Sequence, residues 1–192
     1  MLLLWALPIG ILIGYLRGGH LSHLANLELR QAWLVLTALI IQLLIFPLRS
    51  GAQPLIPVGT VYFHLASYAL LAVFVVLNRR VWGLLAMGVG MLLNLAVITF
   101  NGGYMPTQPG LLEATGRSSE AQQLRTNITY ANNICMDSQH YRCQKPDTPT
   151  PLWFLGDVFY VPAGVPFANV FSLGDLLLAV GLIWLLQAKM RP

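Results

Sequence analysis

Residues 61–100 read VYFHLASYALLAVFVVLNRRVWGLLAMGVGMLLNLAVITF, two apolar runs joined by Arg79 and Arg80. The runs contain 18 and 20 residues, and neither carries a charged side chain. A helix needs about 20 apolar residues to cross a membrane, because the hydrocarbon core is about 30 Å thick and each residue rises about 1.5 Å. The stretch therefore predicts a hairpin of two transmembrane helices.

Three further apolar stretches lie outside this hairpin, at residues 1–16, 32–48 and 175–189. The first has no basic residue before its apolar run and no cleavage pattern after it, so we expect it to be a retained helix. The chain is 56% hydrophobic and only 9% charged, whereas soluble domains carry about 25% charged residues. This composition excludes an ordinary soluble domain and predicts an all-α membrane protein with five transmembrane helices.

Basic residues predict the orientation of these helices. Six of them lie in segments 17–31, 79–80 and 189–191, while loop 49–60 has only Arg49. Because Lys and Arg are enriched in short cytoplasmic loops, we expect the N-terminus outside and the C-terminus in the cytoplasm. The predicted parts are a four-helix transmembrane part (1–100), an extracytoplasmic segment of short helices and loop (101–172), and the fifth transmembrane helix with a cytoplasmic tail (173–192).

The two cysteines, Cys135 and Cys143, both lie in the long segment. Outside the cytoplasm such a pair can oxidise, and a separation of eight positions permits the geometry, so we predict a disulfide. Two free thiols are the alternative. A metal site that includes His140 is not expected, because a fourth ligand at a recognised spacing is missing.

Polar side chains within the predicted helices lie at similar depths. Gln42, His64 and Asn94 come roughly 9, 5 and 9 Å below the outer ends of their helices. Polar groups in hydrocarbon need partners. We therefore predict that a ligand-binding site, if the chain has one, is formed by these three residues with Asp157 and Asp175.

Plainer interpretations of the same residues remain open. Hydrogen bonds between helices could simply fix the bundle. Asp175 stands three positions after Ser172, which is the spacing of a capping box at the start of the last helix. Asp157 could be a turn carboxylate bonded to local backbone amides. A pigment or haem ligated by His64 is a further alternative, but a second histidine within the predicted helices is missing.

The sequence contains the motifs Arg17-Gly18-Gly19-His20-Leu21-Ser22-His23-Leu24, Gln42, Asn101-Gly102-Gly103-Tyr104-Met105-Pro106, Leu155-Gly156-Asp157 and Ser172-Leu173-Gly174-Asp175. In this order they resemble a bacterial domain-of-unknown-function family of small multi-pass membrane proteins. That family has a Gly-Gly-Arg-Leu loop after the first helix, an Asn-Gly-Gly-x-Met-Pro turn and a closing Ser-x-Gly-Asp. The resemblance implies the topology and a bacterial inner-membrane location, and it implies no activity.

The chain has no phosphate loop, His-Glu-x-x-His or Gly-x-Ser-x-Gly pattern. We therefore expect a non-catalytic accessory or structural subunit of a larger membrane complex, of respiratory or photosynthetic type. The alternative is a small-molecule binder or transporter with a polar pocket in the outer half of the membrane. An enzyme that uses Asp157 and Asp175 as paired carboxylates ranks third. The expected partners are the lipid bilayer and other membrane subunits, with no nucleic acid, since anionic lipid accounts for the basic residues.

Overall fold

The computed structural model describes residues 2–46, 55–56, 58–136, 143 and 150–191. Within these residues the chain forms seven α-helices and one mixed sheet of five strands. The elements, in chain order, are α1 (Leu3–Leu16), α2 (Trp33–Ile45), α3 (Thr60–Leu77), α4 (Trp82–Phe100), β1 (Met105–Thr107), α5 (Pro109–Ala114), α6 (Ser118–Asn127), β2 (Thr129–Tyr130), β3 (Asn133–Cys135), β4 (Asp157–Val161), β5 (Asn169–Ser172) and α7 (Leu173–Lys189).

The prediction of an all-α protein with five transmembrane helices is wrong. A sheet forms within the segment predicted as short helices and loop, and only α3 and α4 among the described helices are long and apolar enough to cross a membrane. The apolar helices α1 and α2 contain 14 and 13 residues. Helix α7 contains 17 residues and includes Asp175 and Lys189. The predicted orientation of the chain was derived from five membrane crossings, so the structure does not support it either.

The missed strands have a physical explanation. Pro162 and Pro166 exclude a continuous helix after Gly156, but both lie in the connection between β4 and β5 and leave the two strands intact. Strand β4 pairs antiparallel with β5, and Phe159 stacks on Phe171 across the pair. The segment is therefore a β-hairpin that leads directly into α7.

Helices α4 and α7 run antiparallel in close contact. Gly83 lies against Leu185, and Gly90 lies against Gly174. A Cβ atom at Gly90 would lie 2.4 Å from the backbone oxygen of Gly174, closer than real Cβ contacts allow. Small residues thus let these two backbones approach.

The other helices fix which ends of the bundle meet. Helix α1 runs parallel to α7, with Gly14 against Met190, and α3 turns back into α4 at residues 78–81. Helix α2 runs antiparallel to α3, with Gln42 against Ser67. The start of α3, the end of α4 and the start of α7 therefore meet at one end of the bundle, and the α3–α4 turn lies at the other.

The sheet packs at the first of these ends. Its strand order is β2-β3-β1-β4-β5, with β1 parallel to both β3 and β4 and with antiparallel pairs at both edges. Strand β1 follows α4 after four residues, and β5 leads into α7 without a break. A small apolar core beneath the sheet contains Leu112, Ala121, Leu124, Cys135, Cys143 and Val170.

Candidate functional site

A polar cavity of about 250 Å³ lies where the start of α3, the end of α4 and the start of α7 meet the sheet. A space of this size can hold several water molecules or one small ligand. Its charged and aromatic lining residues are His64, Tyr68, Arg117, Asp157 and Asp175, and its amides come from Asn94, Asn132, Asn133 and Asn169.

Asp157 is placed in the cavity by the sheet. It is the first residue of β4, where it pairs with Thr107 of β1 on one side and with Ser172 of β5 on the other. The Thr107 hydroxyl donates a hydrogen bond of 3.1 Å to Oδ2 of Asp157. The backbone of Asp157 is thus held between two neighbouring strands, its side chain is bonded to one of them, and only 8% of the residue is exposed.

Asp175 is placed by the cap of α7. Its backbone N–H donates to the Ser172 hydroxyl at 3.0 Å, and its Oδ2 accepts from the Ser172 N–H, which completes the predicted capping box. Asn94 of α4 donates to Oδ1 of Asp175 at 2.9 Å and accepts from the Ser172 hydroxyl at 2.8 Å. The cap prediction is confirmed, and the cap is also joined to a second helix.

The two carboxyl groups influence each other. Burial, together with the negative charge of Asp175, raises the pKa of Asp157 to about 7, although the Thr107 hydrogen bond and the charge of Arg117 oppose the rise. A carboxyl group with this pKa is partly protonated near neutral pH. The cavity can therefore take up or release a proton there.

His64 also lines the cavity, one helical turn before Tyr68 on α3. The His64 ring lies 4.8 Å from that of Phe46 and 5.2 Å from that of Tyr68, and a backbone hydrogen bond joins His64 to Gly103. Among the described residues, its buried Nδ1 atom has no hydrogen-bond partner. Aromatic rings thus enclose the residue suggested above as a haem or pigment ligand.

Gln42 does not line this cavity. Its Nε2 donates to the Ser67 hydroxyl at 3.0 Å, and it borders a separate, mostly apolar cavity of about 420 Å³ between the helices. Tyr68, Asn94 and Asp175 line both spaces. The structure thus brings together four of the five predicted residues, and their role in binding a ligand stays a prediction.

Sequence reasoning missed Arg117 and the asparagines of the sheet. Arg117 donates from Nε to Glu120 at 2.9 Å and pairs with the same carboxylate through Nη2. Its Nη1 donates to Asn169 at 2.5 Å. Tyr68 could have been predicted as a lining residue, because it lies four residues after His64 on the same helix face. Arg117 and these asparagines reach the cavity only when the strands pair, and strands this short have no recognisable pattern in the sequence.

The predicted disulfide is confirmed, since Cys135 and Cys143 are joined. Cys135 on β3 pairs in register with Thr107, the partner of Asp157. His140 lies outside the described residues. In the described part of the chain, no three His, Cys, Asp or Glu side chains form a group that could hold a metal ion.

The chain belongs to the family of unknown function DUF5317, which matches residues 26–187. The expectation of a family without an assigned function is confirmed, and the motif at residues 17–24 precedes the matched part. No curated protein and no solved structure matches the chain.

Proposed function

We propose that this protein binds a small molecular cation with N–H groups, such as a primary ammonium compound, in the polar cavity. The observation that carries the proposal is the presence of two carboxyl groups, Asp157 and Asp175, in one cavity of about 250 Å³. Buried charges of like sign destabilise each other unless a cation or a proton lies nearby. A bound ammonium group would replace the proton of Asp157.

The balance of charge in the cavity favours a cation. Among the described residues of the lining, Arg117 is the one with a positive charge, and that charge is already paired with Glu120 through two hydrogen bonds. The two aspartates therefore leave an excess of negative charge. A π face such as that of Tyr68 also attracts cations.

The lining favours a molecular cation over a metal ion. The described residues offer no group of three metal-binding side chains, so a bare ion would lack ligands. Asn132 and Asn133 also line the cavity, and side-chain amide oxygens accept hydrogen bonds from N–H groups. An ammonium compound of a few heavy atoms fits both this chemistry and the volume.

We further propose that α3 and α4 anchor the protein in a membrane as a helical hairpin. Only 17% of the 18-residue window of α3 and 44% of that of α4 is buried within the molecule, whereas the core helix of a soluble protein is mostly buried. Exposed apolar surface of this extent marks contact with lipid or with another protein. The resemblance to bacterial membrane proteins supports an inner-membrane location.

The binding proposal is tested with the full-length protein purified in detergent. Its melting temperature is measured with methylammonium chloride, ethanolammonium chloride and 1,4-diaminobutane, and with tetramethylammonium chloride as a cation without N–H groups. A ligand at 100 times its Kd stabilises the folded state by about 2.7 kcal/mol. We expect at least one of the three amines to raise the melting temperature, and tetramethylammonium to have no effect.

Two variants separate the cavity from the rest of the surface. Asp157→Asn keeps an acceptor for the Thr107 hydroxyl and removes the charge, so it should abolish the stabilisation. Glu113→Gln is the control, because Glu113 pairs with Arg125 and does not line the cavity. Equal stabilisation of the wild type and Asp157→Asn, or no effect of any amine, would contradict the proposal.

A second candidate function is that of an accessory subunit in a larger membrane complex, of respiratory or photosynthetic type. It is favoured by four aromatic side chains that are 43 to 55% exposed, namely Trp153, Phe154, Phe159 and Tyr160. Aromatic residues are enriched at the centres of protein interfaces.

The accessory-subunit function is tested by purification of the tagged protein from native membranes in mild detergent. The protein should co-purify with a defined partner that the double variant Trp153→Ser/Phe154→Ser loses and Val89→Ser retains. Migration of the wild type as a lone monomer would contradict this function.

A further inference from the structure

A second polar space lies at the opposite end of the bundle from the cavity. It is a groove of about 490 Å³ between residues 28–30 and the α3–α4 turn. Three arginines line it together with Glu28. Arg30 comes from residues 28–30, and Arg79 and Arg80 come from the α3–α4 turn. Nothing in the proposed function of the cavity accounts for this cluster.

The groove is held together by a buried side chain. Asn78, which is only 5% exposed, accepts from the Arg30 N–H at 2.8 Å and donates to the Arg30 backbone oxygen at 2.9 Å. The same Nδ2 group also donates to the backbone oxygen of Phe74 at 2.8 Å. These bonds fix the backbone of Arg30 beside the α3–α4 turn. The three arginines are therefore held near one another by hydrogen bonds of the fold.

The charges of the groove are unbalanced. Arg30, Arg79 and Arg80 are exposed, and within the described residues none of them lies within 4.0 Å of a carboxylate oxygen. Glu28 supplies one negative charge against three positive ones. Three unpaired guanidinium groups around one space repel each other, and an anion between them would relieve the repulsion.

We propose that this groove binds the phosphate group of an anionic lipid. Guanidinium groups match phosphate oxygens with paired, charge-assisted hydrogen bonds. The groove lies at the point where both candidate membrane helices end, which is the level of lipid headgroups if those helices cross the bilayer.

Two features favour a lipid over a free phosphate ion. The groove is lined by Val76, Leu77 and Val81 beside its arginines, so it presents apolar surface next to the charges, as an amphipathic ligand requires. Trp82, at the start of α4, is 69% exposed, and exposed tryptophans are enriched at the interface between membrane and water.

The test measures lipid retention by the full-length protein in detergent. The protein is incubated with equal amounts of phosphatidylglycerol and phosphatidylcholine, and the bound lipid is counted by native mass spectrometry. We expect phosphatidylglycerol to be retained preferentially. The double variant Arg79→Gln/Arg80→Gln should weaken its binding about 30-fold, since each basic residue near an anionic lipid surface contributes about a five-fold factor.

Further variants keep the test decisive. Arg30→Gln lies outside the α3–α4 turn and should weaken binding about five-fold without altering the helical hairpin. Arg191→Gln is the matched control, because Arg191 is exposed at the same end of the bundle and does not line the groove. Equal retention of phosphatidylglycerol by the wild type, Arg30→Gln and Arg191→Gln would overturn the site.

A final arm distinguishes the two sources of phosphate. The melting temperature is measured in sodium phosphate and in sodium chloride of equal ionic strength, with and without phosphatidylglycerol. Stabilisation by the lipid in both salts supports the lipid headgroup. Stabilisation by inorganic phosphate alone, lost in Arg30→Gln, would overturn the lipid assignment and assign the groove to a soluble phosphate.

Discussion

At the scale of single residues, Asp157 makes the stability of the protein depend on pH. Burial and the charge of Asp175 raise its pKa from 3.8 to about 7, so between these values the folded protein holds a proton that the unfolded chain releases. The free energy of unfolding therefore falls as the pH rises through this window and levels off above about 7. The full effect of this one group is about 4 kcal/mol.

Asp157→Asn should remove this dependence. The amide cannot ionise, so we expect the variant to melt at a higher temperature than the wild type, by a clear margin at about pH 8 and by a smaller margin near pH 5. Melting temperatures in detergent between these pH values check the prediction. Glu113→Gln, outside the cavity, should keep the wild-type slope. An unchanged slope in Asp157→Asn would show that other groups dominate.

Ser172 is the second residue whose contacts predict a measurable effect. Its hydroxyl accepts from the Asp175 N–H and donates to Asn94, so Ser172→Ala removes the cap of α7 and leaves a buried amide oxygen with one partner fewer. We expect a loss of about 1 to 3 kcal/mol, seen as a lower melting temperature. Ser118→Ala is the control, because no side chain caps α6. Equal melting of the two variants would contradict the role of Ser172.

At the scale of elements, the contact between α4 and α7 depends on glycines. Alanine stabilises most helix interiors by about 1 kcal/mol relative to glycine. At Gly90 the added Cβ would lie 2.4 Å from the backbone of Gly174, so Gly90→Ala should instead destabilise the protein by about 1 to 3 kcal/mol. Thermal unfolding checks the sign, with Val89→Ala on the exposed face of α4 as the control. A melting temperature above that of the wild type would contradict this contact.

The elements also show which information the sequence carries. The long apolar runs predicted α3 and α4, and the spacing of Ser172 and Asp175 predicted the cap of α7, because these signals are local. Strands β1 and β3 contain three residues each, too few for an alternating pattern to be visible. The bond between Thr107 and Asp157, 50 positions apart, arises only when such strands pair.

The residues of the candidate site show the same difference between local signals and contacts that depend on the fold. His64 and Asn94 could be found from polarity and depth within apolar helices, and Asp175 from its position at the start of the last helix, and the structure places all three in one cavity. Gln42 satisfied the same criterion but turns towards Ser67, because depth along a helix does not define the face on which a side chain lies. Arg117 was missed because its segment has no apolar surroundings that would make a charge conspicuous.

At the scale of the whole molecule, polar sites occupy both ends of a bundle whose sides are apolar. The cavity lies at the sheet end, the arginine groove lies at the α3–α4 turn, and α3 and α4 extend between them. Leu92, near the middle of α4, is 54% exposed on the side of this bundle. If lipid covers that side, a residue open in the isolated molecule must be inaccessible to water-soluble reagents in membranes.

Labelling of introduced cysteines tests this arrangement. Both natural cysteines are joined in the disulfide, so Leu92→Cys supplies the single free thiol of the chain. Because maleimides react with thiolates in water, we expect a charged maleimide to leave Leu92→Cys unlabelled in broken membranes, where both faces are open, and to label it after the chain is unfolded in sodium dodecyl sulfate. Gln122→Cys, on the exposed face of α6, should be labelled in both conditions. Equal labelling of the two variants in membranes would show that water reaches the side of α4, and that the apolar surface of the bundle does not lie in lipid.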